Sequence, residues 1–182
     1  MRLSTLIRLW IWVTLMAIAA LVVLGVLDSR LKAATGFGVV DLQQVNDAMG
    51  YKRALAAWIA REHAVAAGFG LGFDYLFMSL YAISFYFSAM IAREAFTPKR
   101  GVWRRTMDYL GYVPFVGAIA DATENALEYS MLTGGATDGT AQGAFLASNI
   151  KWTCAYVGVG LLLAAIAGVI RLWWPKKEDA DD

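Results

Sequence analysis

The sequence predicts an all-α integral membrane protein, a bundle of four transmembrane helices with an amphipathic helix in the first outer loop. Three observations lead there. The 182 residues are 59% hydrophobic and only 17% charged, with a mean hydropathy of +0.51, outside the balance of an ordinary soluble domain. Four segments, 9–27, 68–91, 109–132 and 145–170, are long enough to cross a bilayer at about 1.5 Å of rise per residue. The third of them is apolar over most of its circumference yet carries Asp121, Glu124, Asn125 and Glu128, which at about 100° per residue fall within an arc of roughly 120°.

The first span follows Arg2 and Arg8. Its apolar core of about nineteen residues exceeds the ~7–15 of a secretory signal, and no small-x-small cleavage site follows, so it reads as an uncleaved anchor. Trp10 and Trp12 at its start, like Trp173 and Trp174 at the far end of the chain, are expected interfacial anchors.

The loop 28–67 is the one sizeable extramembrane segment. Thr35-Gly36-Phe37-Gly38 reads as a turn, and Asp41 followed by Gln44 is a capping-box variant that opens a helix over about 42–62. Leu42, Val45, Met49, Ala56 and Ile59 recur at helical spacing opposite Gln43, Asn46, Asp47, Lys52 and Arg53, so this helix lies in the membrane interface or caps the bundle. No proline separates Gly50 from Gly68, and the helix is expected to run on, at most slightly bent, into span two.

Span two places Asp74 above Met78, Tyr81, Phe85 and Ser88 on one face; a continuous helix adds Gly70, Ala67 and His63. Thr97-Pro98 stops it. The loop that follows, with both chain ends, holds ten basic residues against six on the other side, five of the ten between Arg93 and Arg105. That asymmetry puts both termini in the cytoplasm of a bacterial-type inner membrane. The basic loop is therefore a topology signal, and nucleic-acid binding is excluded as its purpose.

Span four carries Lys151 among Ala147, Ser148, Ala155 and Gly158, small residues that let a neighbouring helix come close. The single cysteine, Cys154, cannot form an intramolecular disulfide and reads as a small packing residue. The tail 175–182 changes sign from Lys176-Lys177 to a run of acids and reads as a solvated, disordered end. No internal repeat or linker divides the chain, so it forms one domain.

Depth decides whether the polar residues can meet. Counted from the outer ends of the spans, Asp74 and Lys151 lie about 9 Å in, Glu128 about 6 Å, Glu124 about 12 Å and Asp121 about 17 Å. They share one layer of the outer half of the membrane. Four acids face one lysine there, an excess of three negative charges that apolar surroundings do not tolerate. At least one carboxyl is then neutral at pH 7, or a cation occupies the site, and the acids titrate together.

The candidate ligand-binding residues are Asp74, Asp121, Glu124, Asn125, Glu128 and Lys151, with His63, Tyr81 and Ser148 as auxiliaries. Each has a plainer reading: Lys151 and Glu128 snorkelling to headgroups, Asp74 capping, Asp121 and Glu124 as a buried knot that sets helix register, Asn125 as interhelical glue, His63 as a surface histidine.

Three functions compete. Carboxylates with Asn125 make an oxygen-rich site for a proton, a cation or a basic amphiphile, and as a carrier so small a bundle needs a second copy or a partner subunit. A membrane enzyme acting on a lipid would use the acids as acid and base or as metal ligands, but the sequence contains no nucleophile motif, HExxH or phosphate loop. An accessory subunit would use the knot for assembly. Beyond a bound cation, no cofactor is called for.

Overall fold

The computed structural model describes residues 2–96 and 101–173. Among them all regular structure is helical: α1 (Leu3–Thr35), α2 (Val39–Leu42), α3 (Ala48–Ala60), α4 (Ala64–Phe96), α5 (Val102–Leu110), α6 (Val113–Gly134) and α7 (Asp138–Trp173). Three of these, α1, α4 and α7, are long and apolar enough to cross a membrane. The expected stop at Thr97-Pro98, the basic residues Lys99 and Arg100, Trp174 and the tail 175–182 lie outside the described residues.

α4 is the central helix. α1 packs along one side of it, and the hairpin of α6 and α7 packs along the other. The contact with α1 is made by small residues and hydroxyls: Ala17 and Ala20 are buried, Trp10 Nε1 donates to Ser88 Oγ at 2.8 Å, and Thr14 and Ser84 share a hydrogen bond of 2.7 Å. Trp10 is thus not the interfacial anchor expected of it. Its indole N–H has a partner inside the bundle, and the ring packs with Leu6, Ile7 and Ile91. Trp12, two residues on and on the opposite side of the helix, is 67% exposed.

Glycines set how near the other helices come. A Cβ at Gly117 on α6 would sit 2.8 Å from the Cβ of Cys154, and one at Gly158 on α7 would run into the ring of Phe85 on α4. Neither neighbour is the free end of a flexible chain, so the space is fully used.

The segment joining α1 to α4 differs from the helix expected over 42–62. α1 ends on Gly36 in the left-handed region (φ 88°), and the short α2 follows. Asp41 does not open a long helix; its Oδ2 accepts from Gly38 N at 2.8 Å and its Oδ1 from Lys32 Nζ at 2.6 Å. α3 is instead capped by Asp47, which accepts from Gly50 N at 2.6 Å, and by Asp138 at the start of α7, which accepts from Ala48 N at 2.8 Å. Two capping acids satisfy amides that a helix start otherwise leaves bare.

Nor does α3 run on into α4. Glu62 adopts a left-handed φ of 58°, His63 N donates to Trp58 O at 2.7 Å and Glu62 N to Ile59 O at 3.0 Å. This is the paired 6→1 and 5→2 closure that ends helices, here without the usual glycine. The buried face of α3 is also not the expected one. Tyr51, Ala54, Leu55 and Trp58 point inward, whereas Met49 and Ile59 are 65% and 59% exposed. The aromatic residues win because they fill the space over the helix ends, with Leu31, Ala67, Met131 and Ala144 beneath them. α3 is a cap on the bundle.

At the opposite end, the expected span 109–132 begins later: Tyr109 and Leu110 belong to α5, and α6 starts at Val113 with proline in its first turn. Proline there costs nothing, since the first amides have no acceptor in the helix. α5 is bracketed to α4 by ion pairs, Arg93 to Asp108 at 2.5 Å and Arg104 to Glu94 at 2.6 Å.

Two outcomes are expected. Gly158→Ala forces α7 off the Phe85 ring and destabilises the bundle by about 1–3 kcal/mol, read as a lower thermal midpoint in detergent. Asp41, although partial burial pushes its carboxyl up, is held below its ordinary range by the Lys32 hydrogen bond and the Gly38 amide. A depressed carboxyl contributes stability above its unfolded value and loses it as the pH falls through the folded one. Hydrogen-exchange protection of residues 36–43 should therefore drop below about pH 4 in the native chain and be weak at every pH in Asp41→Asn.

Candidate functional site

α6 positions most of the site. Asp121, Glu124, Asn125 and Glu128 are all buried, at 1–3% exposure, together with Pro114 and Gly117 on the same face. Tyr112, Val116 and Ile119 on the other face are 53–69% exposed. The stripe points into the bundle.

Lys151 of α7 reaches it. Its Nζ lies 2.5 Å from Glu124 Oε2 and 3.2 Å from Asp121 Oδ1, two carboxylates one turn apart and bridged by one ammonium. The lysine is 8% exposed and is no snorkelling residue. The close packing at Gly117, where a Cβ would also meet the Lys151 carbonyl oxygen at 3.7 Å, explains how a side chain of ordinary length spans the gap. Tyr81 of α4 donates its hydroxyl to Asp121 Oδ2 at 3.2 Å. Ser148, one turn before Lys151, is buried beside Glu124 but forms no hydrogen bond of good geometry.

Asp74 of α4 stands apart from the lysine. Its Oδ2 accepts from Asn125 Nδ2 at 2.7 Å, and among the described residues it has no ion-pair partner. Glu128 lies nearer the cap, where the Tyr51 hydroxyl bonds to its Oε1 at 3.3 Å and also reaches Leu42 O at 3.3 Å. Burial, the charges of Glu128 and Glu124 and the bond to Glu128 push the Tyr51 phenol up, so it stays a hydrogen donor at neutral pH.

Part of this set borders a cavity of about 400 Å³. Asp74, Asp121, Asn125 and Lys151 form one part of its wall; Leu21, Leu24, Phe77, Phe85, Ala155 and Val159 form much of the rest. Asp121 lines it while almost wholly buried, and its Oδ1 has no hydrogen-bond donor beyond the ion pair with Lys151. Glu124 and Glu128 do not line it. The predicted set thus divides in two: Asp74 and Asp121 face the cavity, while Glu124 and Glu128 lie behind it in the packed interior.

His63 is not brought to the site. Because α4 begins only at Ala64, the histidine sits in the break after α3, its Nδ1 2.5 Å from Arg61 O. Two side chains at the site carry no signal in the stripe itself. Tyr51 holds Glu128 from the cap. Trp152 lines the cavity and donates Nε1–H to Gln43 Oε1 at 3.0 Å, tying α7 to the α1–α3 connection. The recurrence of aromatic residues at 51 and 58 was the available clue to the first. The second depends on a contact between residues 109 apart in the chain.

No family model matches the chain, and neither a curated protein nor a solved structure matches it. Among the described residues no group of three or more His, Cys, Asp or Glu side chains is arranged to hold a metal ion.

Lys151→Met leaves two carboxylates facing each other without a cation, a change that costs about 3–5 kcal/mol for a buried pair. It should abolish or sharply lower the thermal transition, and adding Asp121→Asn with Glu124→Gln should restore most of it. An unaltered transition in Lys151→Met would show that the ammonium does not hold the helices together.

Proposed function

We propose that this chain is a four-span protein of a bacterial-type inner membrane that binds a small amphiphile carrying a basic group. α6 is the fourth span: its 22 residues cover about 33 Å, its acids turn inward, and its exposed face is apolar. The excess of Lys and Arg at the chain ends and around α5 puts those parts in the cytoplasm and the α3 cap outside.

One observation carries the reading: a single cavity joins a carboxyl-rich wall to an apolar one. An ion or a proton would use the first and leave the second idle. An amine with an apolar body uses both, as small-molecule sites do when a few polar groups orient a ligand held by hydrophobic contact. Among the described residues two lining acids have no ion pair, Asp28, which accepts from Val40 N near the cap, and Asp74, which stands in the polar wall and is the one to receive the amine. Lys151 already balances one of Asp121 and Glu124, whereas Asp74 accepts from one amide and has room for a charge-assisted bond from an ammonium. As a carrier, the bundle would act with a second copy or a partner subunit.

In nanodiscs of zwitterionic lipid, decylammonium should bind the unmodified protein, and Asp74→Asn should weaken it at least tenfold, the loss of about 1.4 kcal/mol or more, while the thermal midpoint is kept. Asp121→Asn and Glu124→Gln should remain folded with altered affinity. Equal affinity across all three variants would reject the site.

A further inference from the structure

The cavity has a side opening as well as a polar wall. α1 rests on α4 and on the cap, and α7 rests on α4 and α6; no substantial packing joins α1 to α7. Between them runs a crevice whose walls are Leu21, Leu24 and Gly25 on α1 and Ala155 and Val159 on α7, with Phe77 and Phe85 of α4 as its floor. Leu21 and Val159 are themselves 51% and 45% exposed, so the apolar walls continue onto the outer surface of two helices apolar enough to span a membrane. Over the cap end the crevice is roofed. Val39, Val40 and Gln43 line it there, Val40 N is tied to Asp28 Oδ1 at 3.2 Å, and Gln43 is tied to Trp152 at 3.0 Å.

We propose that the ligand comes from the bilayer, not from water: a single-chain long amine passes sideways between α1 and α7, its ammonium stopping at Asp74 and its hydrocarbon chain lying in the crevice. This rests on the reading of the acidic cavity as an amine site and adds the ligand's class and its route. The roof lies across the direct aqueous path, while the side wall offers hydrocarbon a surface like the one it leaves. The volume, about 400 Å³, lies within the range of sites that hold one small molecule.

The chain gains little on moving from lipid to the crevice, both being apolar, so discrimination falls to the head. At a fixed mole fraction in the bilayer, affinity should vary less than twofold from decyl- to tetradecylammonium. Expressed against the total aqueous concentration it should rise about fourfold per added methylene, the ordinary partitioning into membrane.

The test uses the full chain in zwitterionic nanodiscs with dodecylammonium bearing a diazirine at the end of its chain. Photolabelling should fall within 19–27 and 155–163 and be lost in Asp74→Asn. Gly25 offers a plug: a Cβ there meets nothing within 4 Å, so Gly25→Trp, alone or with Ala155→Trp, should fill the crevice and weaken dodecylammonium at least tenfold. Binding that Asp74→Asn abolishes, with label spread evenly over all lipid-facing helices, would overturn the lateral route and leave the amine site standing. Binding and labelling indifferent to Asp74→Asn would overturn both. Should the tryptophan variants fail to fold, the labelling pattern of the unmodified chain decides alone.

Discussion

One ammonium between two carboxylates holds the centre of this protein. Lys151, Asp121 and Glu124 are all buried in a bundle otherwise built largely from apolar and small residues. Taking three charges out of water is expensive, and their attraction repays it only when geometry and additional hydrogen bonds are good. The rest of the fold supplies those conditions. Gly117 lets α6 lie against α7 at Cys154, Tyr81 adds a donor to Asp121, and Asn125 turns the neighbouring turn of α6 toward Asp74. The same interaction favours one register: a slide of α7 by one turn, about 5.4 Å, would break the bridge, leaving the lysine beside at most one of the two acids, and would move Gly158 away from the Phe85 ring.

The cap extends this arrangement instead of merely covering it. α3 is fastened at its start by Asp138, the first residue of α7, and at its end by the backbone closure around Glu62. Between these points Tyr51 turns its hydroxyl down onto Glu128. The carboxyl nearest the cap thus finds its donor in a helix outside the four long ones, so that the loop between α1 and α4 completes a polar layer that the bundle leaves unfinished. Glu128 Oε2 has no hydrogen-bond partner even so, which marks this end of the stripe as the more weakly satisfied.

The sequence shows the parts governed by local period. The four long helices and the inward stripe on α6 follow from hydrophobic patterning with a period of 3.6, and the small residues around Lys151 foretell a close helix contact. What it hides are choices between competing local signals. Asp41 and Asp47 are both fair helix caps, and which one opens the helix depends on Lys32 and Asp138, residues far along the chain or on another element. Met49 and Ile59 fit a helical period as well as Tyr51 and Trp58 do; the volume over the helix ends decides for the aromatics. Trp10 carries the mark of an interfacial anchor until Ser88 is seen to accept its N–H. Asp74 and Asp121 differ from Glu124 and Glu128 in facing a cavity, and only the relative placement of α1 and α7 reveals it.

The connection between α6 and α7 is three residues long, Gly135 to Thr137, with Gly135 at φ 90°. On the four-span reading, the acids of α6 belong to one span and their counterion, Lys151, to the next. Alone, α6 would carry three carboxyls into hydrocarbon at a penalty of several kcal/mol. So short a tether lets the two helices zip together as a hairpin, cancelling charge before either is committed to lipid. On that reading the natural unit of insertion is the hairpin with its charges already paired, not α6 alone.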